Sequence, residues 1–413
     1  TELLDSIEDL GERMSEEGTV LLKNNGALPL SADEKKKVTF LGFSSYFPVQ
    51  GGDFGSTLAE NKGTDADTVD MVQAFEAKGY SLNPTVQQMY EGMKEDFKSE
   101  AVLPWGVVTY YRATAPAVGG TFTSLEPSQE KLDKAEPTWK DSMNDYNVMI
   151  VTIARAAGEN ANYTPGEEGV NPEQNLNQAD PLGLSDTERA TIDAAVKAKA
   201  ENGGKVIVLL NNASAMEIDE LKNNDGIDAM LEVGIPGGYG FYGVADVLSG
   251  DANPSGHLAD TYAVDNSASP AAQNYGDYEW TNADSDYSIN SEIVEAESIY
   301  AGYKYYETRY ADTVLGQGNA SDSVGSSTGG AWTYNSEVSY PFGYGLSYTT
   351  FTQTLDSLNV DLENKTVTAE VTVTNTGDVA GKDVVQLYAS TPYTDYDKEP
   401  VSYTHLRAHE TSQ

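Results

Sequence analysis

Four short apolar runs, alternating with segments of helical spacing, constrain the fold of this 413-residue chain more than any other feature. Each run is apolar enough to form a strand that is buried on both faces. The runs lie at 38–43, 148–153, 205–210 and 227–233. The helical segments lie at 68–79, 185–200 and 239–249. Strands that alternate with helices predict an α/β fold: a mostly parallel sheet flanked by helices, or α/β sandwich.

The capping residues predict where one of these helices begins. Ser185 stands at the N-cap position of the segment 185–200, and Glu188 follows three residues later, as in a capping box. Residues 1–30 have the pattern of an amphipathic helix followed by an extended segment that ends at Pro29.

The second half of the chain has a different pattern. From about 263 to 345 it is rich in Tyr, Asp, Ser, Asn and Gly and has little periodicity, which predicts an irregular bridge. The tyrosine-rich run 300–310 lies within it, and its rings either stack on sugars or fill an irregular core. Residues 366–373 and 382–389 alternate with period two around a glycine turn, so 346–400 is predicted to be an incomplete β-sandwich.

The composition excludes several classes of function. Lys plus Arg is 25 and Asp plus Glu is 65, giving a net charge of −40, which repels nucleic acids and anionic membranes. A neutral or cationic small substrate fits this charge better than a nucleotide. The absence of cysteine and the three histidines argue against thiolate metal sites, histidine-built metal centres and Ser-His-Asp chemistry, so we expect no metal site. We also expect no membrane segment.

A lone acid follows one of the predicted buried strands. Glu159 lies just beyond the run 148–153, in a polar stretch that reaches Leu184. Loops of that length are more often functional than not, and ligands of parallel sheets bind at the carboxyl ends of the strands. Glu159 is thus a candidate proton donor, although one carboxylate cannot complete hydrolytic chemistry alone. Its loop neighbours Glu167, Glu168 and Glu173 are read as solvated surface acids.

Three separated motifs resemble glycoside hydrolase family 3, the family of β-glucosidases and β-xylosidases. EGTVLLKNNGALPL (17–30) is similar to the opening of that family's α/β-sandwich domain, and 232–262 resembles the end of the domain. SYPFGYGLSYTTF (339–351) resembles the bridge into a fibronectin type III-like domain, and 371–390 resembles that domain's first strands. The resemblance implies domains at 1–262 and 346–400 with the bridge 263–345 between them.

The resemblance also implies roles for individual residues. Glu159, preceded by Arg155 and Gly158, matches the family's general acid/base, while Asn162 and Tyr163 stand where the family often has Asp-Arg. The family's nucleophile is an aspartate in a separate (β/α)₈ barrel domain, which has no counterpart in this sequence. Asp53 and Arg155 are expected to contact the substrate.

The function implied is a fragment of a retaining exo-β-glycosidase, most often a β-glucosidase, that needs no cofactor. Its expected partners are a small oligosaccharide or an aryl or alkyl β-glycoside, and the barrel domain of the same full-length chain. The alternative is a non-catalytic carbohydrate-binding or cell-surface module on the same scaffold. A nucleotide-binding flavodoxin-like domain is disfavoured by the charge and because GGDFGS (51–56) does not fit G-x-G-x-x-G.

The last residues have a different origin in our interpretation. Residues 401–413 include VSYTHLRAHET, which resembles the translation of a sequencing-library adapter. We therefore expect the natural gene to continue differently after Pro400. The sequence leaves the cellular compartment open.

Overall fold

The structure is a computed structural model. It describes residues 2–50, 68–97, 99–103, 106–110, 126–155, 180–276, 278–279, 291–292, 295–316 and 320–389. The chain divides into two compact units. The first comprises Thr1–Ser214, Glu220–His257 and Tyr344–Val385, and the second comprises Ala215–Asp219, Leu258–Gly343 and Gln386–Gln413.

The described residues form thirteen strands, which we number in chain order. They are β1 (Val20–Asn24), β2 (Val38–Leu41), β3 (Ser99–Leu103), β4 (Gly106–Tyr110), β5 (Val148–Arg155), β6 (Lys205–Asn212), β7 (Ala229–Glu232), β8 (Tyr262–Ala263), β9 (Tyr278–Glu279), β10 (Ser291–Glu292), β11 (Val338–Tyr340), β12 (Phe351–Asp361) and β13 (Thr366–Asn375).

The same residues form eleven α-helices. They are α1 (Glu2–Gly18), α2 (Met71–Ala77), α3 (Pro84–Gly92), α4 (Gln129–Ala135), α5 (Trp139–Ser142), α6 (Asp186–Asn202), α7 (Asp219–Lys222), α8 (Gly240–Ser249), α9 (Pro270–Asn274), α10 (Tyr303–Thr313) and α11 (Tyr334–Glu337). No helix in the described part of the chain is both long and apolar enough to span a membrane.

The first unit is built on one mixed sheet of five strands, in the order β1-β7-β6-β5-β2. β7, β6, β5 and β2 are mutually parallel, and β1 pairs antiparallel with β7 at one edge. All eight residues of β5 are buried. Because successive side chains of a strand point to opposite faces, both faces of the sheet are covered there. The predicted α/β fold with a mostly parallel sheet is confirmed.

The helices of this unit begin where their sequences predict. Ser185 caps α6 by accepting a hydrogen bond from the Glu188 amide, and the Glu188 side chain completes the capping box. Asp70 and Gln73 form a second capping box at the start of α2. Side chains that satisfy the first free amides of a helix favour its start at that residue.

Glycines let α8 lie against α1 at short range. A Cβ on Gly243 would stand 2.2 Å from the carbonyl oxygen of Glu12, and one on Gly240 would stand 2.2 Å from Ser15 Oγ. Only a residue without a side chain fits at either position. These two glycines of α8 therefore serve close packing between two helices.

β12 and β13 form an antiparallel ribbon that has few buried side chains. Leu355, Leu358 and Val360 are 58%, 54% and 54% exposed. The alternation in 382–389 predicts a further strand, but the structure has none there. An alternating pattern marks which side chains could share a face but supplies no neighbouring strand. The predicted fibronectin type III-like sandwich therefore stays a prediction.

The second unit contains regular structure in the segment predicted to be an irregular bridge. α10 spans eleven residues of it, and β8 pairs with β11. A small core forms around Tyr305, Tyr306 and Trp332, which are 2%, 5% and 1% exposed. Tertiary packing of aromatic rings thus supports a helix that has little helical periodicity in its sequence.

Candidate functional site

The carboxyl ends of the parallel strands meet along one edge of the main sheet. The register places Leu41 beside Val151, Arg155 beside Asn212, and Leu210 beside Glu232. Segments 42–50 and 180–184 adjoin this edge, whereas 51–67 and 156–179 lie outside the described residues. Asp53 and Glu159 both fall in those two ranges, so their predicted roles stay predictions.

Arg155, the last residue of β5, is buried in a complete set of acceptors. Its guanidinium makes a two-pronged pair with Glu188, with Nη1 2.7 Å from Oε1 and Nη2 2.8 Å from Oε2. Its remaining donors reach the carbonyl oxygens of Ala154, Pro181 and Gly183 at 2.8, 2.8 and 2.7 Å. All five N–H groups of a guanidinium are thereby used.

These bonds tie together the two ends of the stretch that carries Glu159. Arg155 precedes 156–179, and Pro181 and Gly183 follow it. Glu188 also accepts a hydrogen bond from the Ser185 amide at 2.9 Å, so one carboxylate joins β5 to the start of α6. Arg155 acts here as a positioning residue. Its predicted contact with substrate stays a prediction, and it would require an N–H group to leave a protein acceptor.

Two asparagines at the end of β6 hold the neighbouring segments. Asn211 donates to the carbonyl oxygens of Val49 and Gly234 at 2.9 and 2.7 Å, and its Oδ1 accepts from the Val49 amide at 2.8 Å. Asn212, with its amide oriented to donate, places its nitrogen 2.9 Å from both carboxylate oxygens of Glu232. The chain after β2 and the chain after β7 are thus fixed to the same strand.

Glu126 is a further buried acid and lies close to the chain that follows β2. Glu126 accepts hydrogen bonds from Thr191 Oγ1 at 2.6 Å, the Phe43 amide at 2.8 Å and the Tyr90 hydroxyl at 3.0 Å. Burial raises its pKa to about 7, and the negative charge of Glu188 adds to the increase. A carboxyl group with such a pKa exchanges its proton near neutral pH.

Sequence reasoning missed Glu126, Asn211 and Glu232. Asn211 and Glu232 could have been found, because both are polar residues at the end of an apolar strand. Glu126 carries no comparable signal. It lies just before α4, and its environment is built by residues from three distant parts of the chain.

The described residues offer no good metal site. Glu12, Glu16 and Asp246 are the acids that come close enough to share an ion. The Lys78 amine already lies among them, 2.8 Å from Glu12 and 2.6 Å from Asp246. The lysine supplies the positive charge that a cation would bring.

Comparison with known proteins identifies the scaffold. The domain described as "Glycosyl hydrolase family 3 C-terminal domain" matches residues 19–348. The chain belongs to glycosyl hydrolase family 3. The predicted family is therefore confirmed, and the parallel sheet with Arg155 at its edge is the sheet of this family's C-terminal domain.

Family 3 relatives cover the chain but extend well beyond it. "Beta-glucosidase A" of Butyrivibrio fibrisolvens is 34% identical over 211 residues, which are 48% of this chain and 21% of that protein. "Beta-glucosidase" of Ruminococcus albus is 28% identical over 380 residues, 91% of this chain and 31% of that protein. The chain thus spans about a fifth to a third of the length of these curated relatives.

A solved family 3 structure shares the fold of the chain. β-Glucosidase 3B from Thermotoga neapolitana in complex with glucose has 27% sequence identity and a TM-score of 0.61. The likeness covers 91% of this chain and 42% of that one.

Proposed function

We propose that this chain supplies the acid/base half of a retaining exo-β-glucosidase of family 3. Two observations carry the proposal. They are the family match over 19–348 and the hydrogen bonds of Arg155, which we call the Arg155 clamp, at the carboxyl ends of the parallel strands. Arg155 and Glu188 hold both ends of the stretch in which Glu159 lies.

In this proposal Glu159 moves the proton in both steps of the reaction. It first protonates the glycosidic oxygen while an aspartate of a barrel domain attacks the anomeric carbon, forming a covalent glycosyl intermediate. Deprotonated Glu159 then takes a proton from water, and the resulting attack releases the sugar with its configuration retained. The two carboxyl groups of such enzymes lie roughly 5–5.5 Å apart, so the barrel must cover this edge of the sheet.

The substrate we propose is a terminal β-linked glucose on a small oligosaccharide or an aryl or alkyl aglycone. Two observations support it: the relatives are named β-glucosidases, and the Thermotoga neapolitana structure contains glucose. The net charge of −40 also favours a neutral ligand over an anionic one. We assign Asp53 to a sugar hydroxyl and Arg155 to positioning.

The test is substitution of Glu159 in the enzyme that contains the barrel domain. Glu159→Gln removes the proton donor, and we expect kcat on glucosides with poor leaving groups to fall by about 10²–10⁴-fold. Activated aryl glucosides should be affected less, and added azide should restore their turnover as glucosyl azide. Single Glu→Gln changes at 167, 168 and 173 are matched controls, and they should retain activity.

A separate measurement tests whether hydrolysis needs the barrel domain. The 413-residue chain alone should not hydrolyse an aryl β-glucoside, because no nucleophile faces Glu159 in our proposal. Measurable turnover by the purified chain would contradict the two-domain assignment. Unchanged kinetics of Glu159→Gln in the complete enzyme would instead reject Glu159 and leave the family assignment intact.

A further inference from the structure

A cavity of about 790 Å³ in the second unit is lined by aromatic side chains around one carboxyl group. This volume falls in the range of roughly 300–1,000 Å³ that is typical of small-molecule sites. The residues that shape it are Tyr303, Glu307, Tyr310, Tyr334, Phe342 and Tyr388. Its lining includes none of the residues to which we assign catalysis.

The tyrosines of α10 lie on two faces of the helix, of which one lines this cavity and the other packs in the core. Tyr303, Glu307 and Tyr310 stand at positions i, i+4 and i+7, so they share one face of the helix. Tyr305 and Tyr306 lie on another face and are buried in the small core of the second unit. The core-packing interpretation of the tyrosine-rich run thus fits one face of α10, and the other face lines an open cavity.

The carboxyl group in the cavity is held by a tyrosine and keeps a free acceptor. Glu307 Oε1 accepts a hydrogen bond from the Tyr334 hydroxyl at 2.5 Å. Its Oε2 has no hydrogen-bond partner among the residues that the structure describes. Partial burial raises the pKa of Glu307. A half-buried acceptor without a protein donor can be satisfied by a ligand that brings one.

The rings around Glu307 are fixed by contacts with one another. Tyr303 and Phe342 stack with their centroids 4.4 Å apart and an interplanar angle of 24°. Tyr310 meets Tyr334 edge to face at 5.2 Å and 81°. The cavity therefore offers rigid apolar surface beside a hydrogen-bond acceptor and several phenolic hydroxyls.

We propose that this cavity binds a neutral pyranose, with a C–H face against the aromatic rings and ring hydroxyls donating to Glu307. A sugar combines an apolar face with a rim of donors, which is the complement of this lining. Glu307 and Lys304 both line the cavity and balance each other's charge, and the net charge of −40 on the chain disfavours an anionic ligand. A compact ammonium ion would satisfy the carboxylate but would leave most of the 790 Å³ unfilled.

The site is separate from the proposed acid/base and does not depend on it. Glu307 has no reacting partner in the proposal, so the cavity binds sugar without hydrolysing it. In this proposal the cavity would hold a second glucosyl unit or a chain end that is not being hydrolysed.

The experiment is a saturation-transfer NMR titration of the 413-residue chain with cellobiose. We expect saturable binding that weakens about tenfold in Glu307→Gln, since a hydrogen bond to a charged acceptor is replaced by a weaker neutral one. Tyr303→Ala should weaken binding by a similar factor through loss of ring surface.

Matched controls separate the cavity from general surface effects. Glu295→Gln and Tyr275→Ala change exposed residues of the same unit and should leave the affinity unchanged. Glu307→Gln is nearly isosteric, so it decides the matter if Tyr303→Ala fails to fold by circular dichroism. Absence of saturable binding, or equal affinity in Glu307→Gln and the parent chain, overturns the proposal. Binding of tetramethylammonium but not cellobiose, lost in Glu307→Gln, also overturns it and identifies a cation site.

Discussion

Among the residues that the structure describes, each unit buries one arginine, and the two arginines are satisfied in different ways. Arg155 is 1% exposed, and its five N–H groups donate hydrogen bonds to one carboxylate and three carbonyl oxygens. Arg309 in α10 is 0% exposed, yet only Nη2 makes hydrogen bonds of normal geometry among the described residues, to Ser321 O and Val324 O. Its guanidinium carbon lies 4.8 Å from the centroid of the Trp332 ring.

The difference shows what each site demands of its arginine. A two-pronged carboxylate pair fixes distance and orientation together, which suits a residue that joins the end of β5 to the start of α6. Arg309 lies against an indole ring and makes one longer ion pair, with Nη1 3.8 Å from Oδ2 of the buried Asp312. Packing, a cation–π contact and a single ion pair at this distance tolerate small shifts better than a two-pronged pair does. Burial alone therefore does not tell how strongly an arginine constrains its surroundings.

The largest expected effect comes from breaking the Arg155 pair. Arg155→Met leaves Glu188 buried without its cation, and we expect the free energy of unfolding to fall by about 3–5 kcal/mol. Urea unfolding, followed by circular dichroism, measures the loss. The matched control is Arg189→Met on α6, whose pairs with Glu220 and Asp186 are largely exposed and should contribute about 0–1 kcal/mol. Equal losses in the two variants would contradict the comparison.

The buried acid near this pair should make stability depend on pH. Because the pKa of Glu126 is raised from 4.5 to about 7, the folded state binds the proton more tightly than the unfolded state. Its stabilising contribution is complete below about pH 4.5 and is lost as pH rises through about 7. Relative to Glu126→Gln, the parent chain should therefore lose about 3 kcal/mol between pH 4.5 and 8.

Urea midpoints at the two pH values measure this loss for both proteins. Glu130→Gln, which changes an exposed glutamate of α4, is the control and should follow the parent chain at both pH values. If the parent chain and Glu126→Gln show the same pH dependence, Glu126 is not the group that titrates.

The smallest of the three effects is expected at Arg309. Arg309→Met removes two hydrogen bonds to carbonyl oxygens, one cation–π contact and the 3.8 Å ion pair with Asp312 but keeps much of the packing, so we expect a loss of about 2–3 kcal/mol. Hydrogen exchange of peptides from α10, read by mass spectrometry, follows this unit by itself. A loss at Arg309 as large as that at Arg155 would show that the indole contact and the longer ion pair hold their cation as firmly as the two-pronged pair does.

The sequence predicts the local part of this architecture well. The Ser185–Glu188 capping box predicts the start of α6, and the apolar runs predict the parallel strands, because both patterns depend on neighbours close in the chain. The pairing of Glu188 with Arg155 was not predicted. It joins residues 33 apart, and a capping glutamate looks the same whether or not a cation approaches it.

Tyrosine-rich and alternating segments show the same limit in the second half. Nothing in the run 300–310 distinguishes Tyr303, which lines a cavity, from Tyr305, which is buried in a core. Their separation depends on the helical phase of α10, which is set by Trp332 and other tertiary neighbours. The site prediction at Glu159 rests on family resemblance, since one loop glutamate has no local feature that marks it as a proton donor.

The Arg155 clamp has a consequence for changes in the length of the chain between residues 155 and 181. Since the two ends of the intervening stretch are joined by side-chain bonds at 155, 181, 183 and 188, the sheet does not depend on how many residues run between them. Doubling the length of such a segment costs only about 0.6 kcal/mol in closure entropy. Insertions, deletions and exchanges of whole segments between 155 and 181 should therefore cost the sheet little stability.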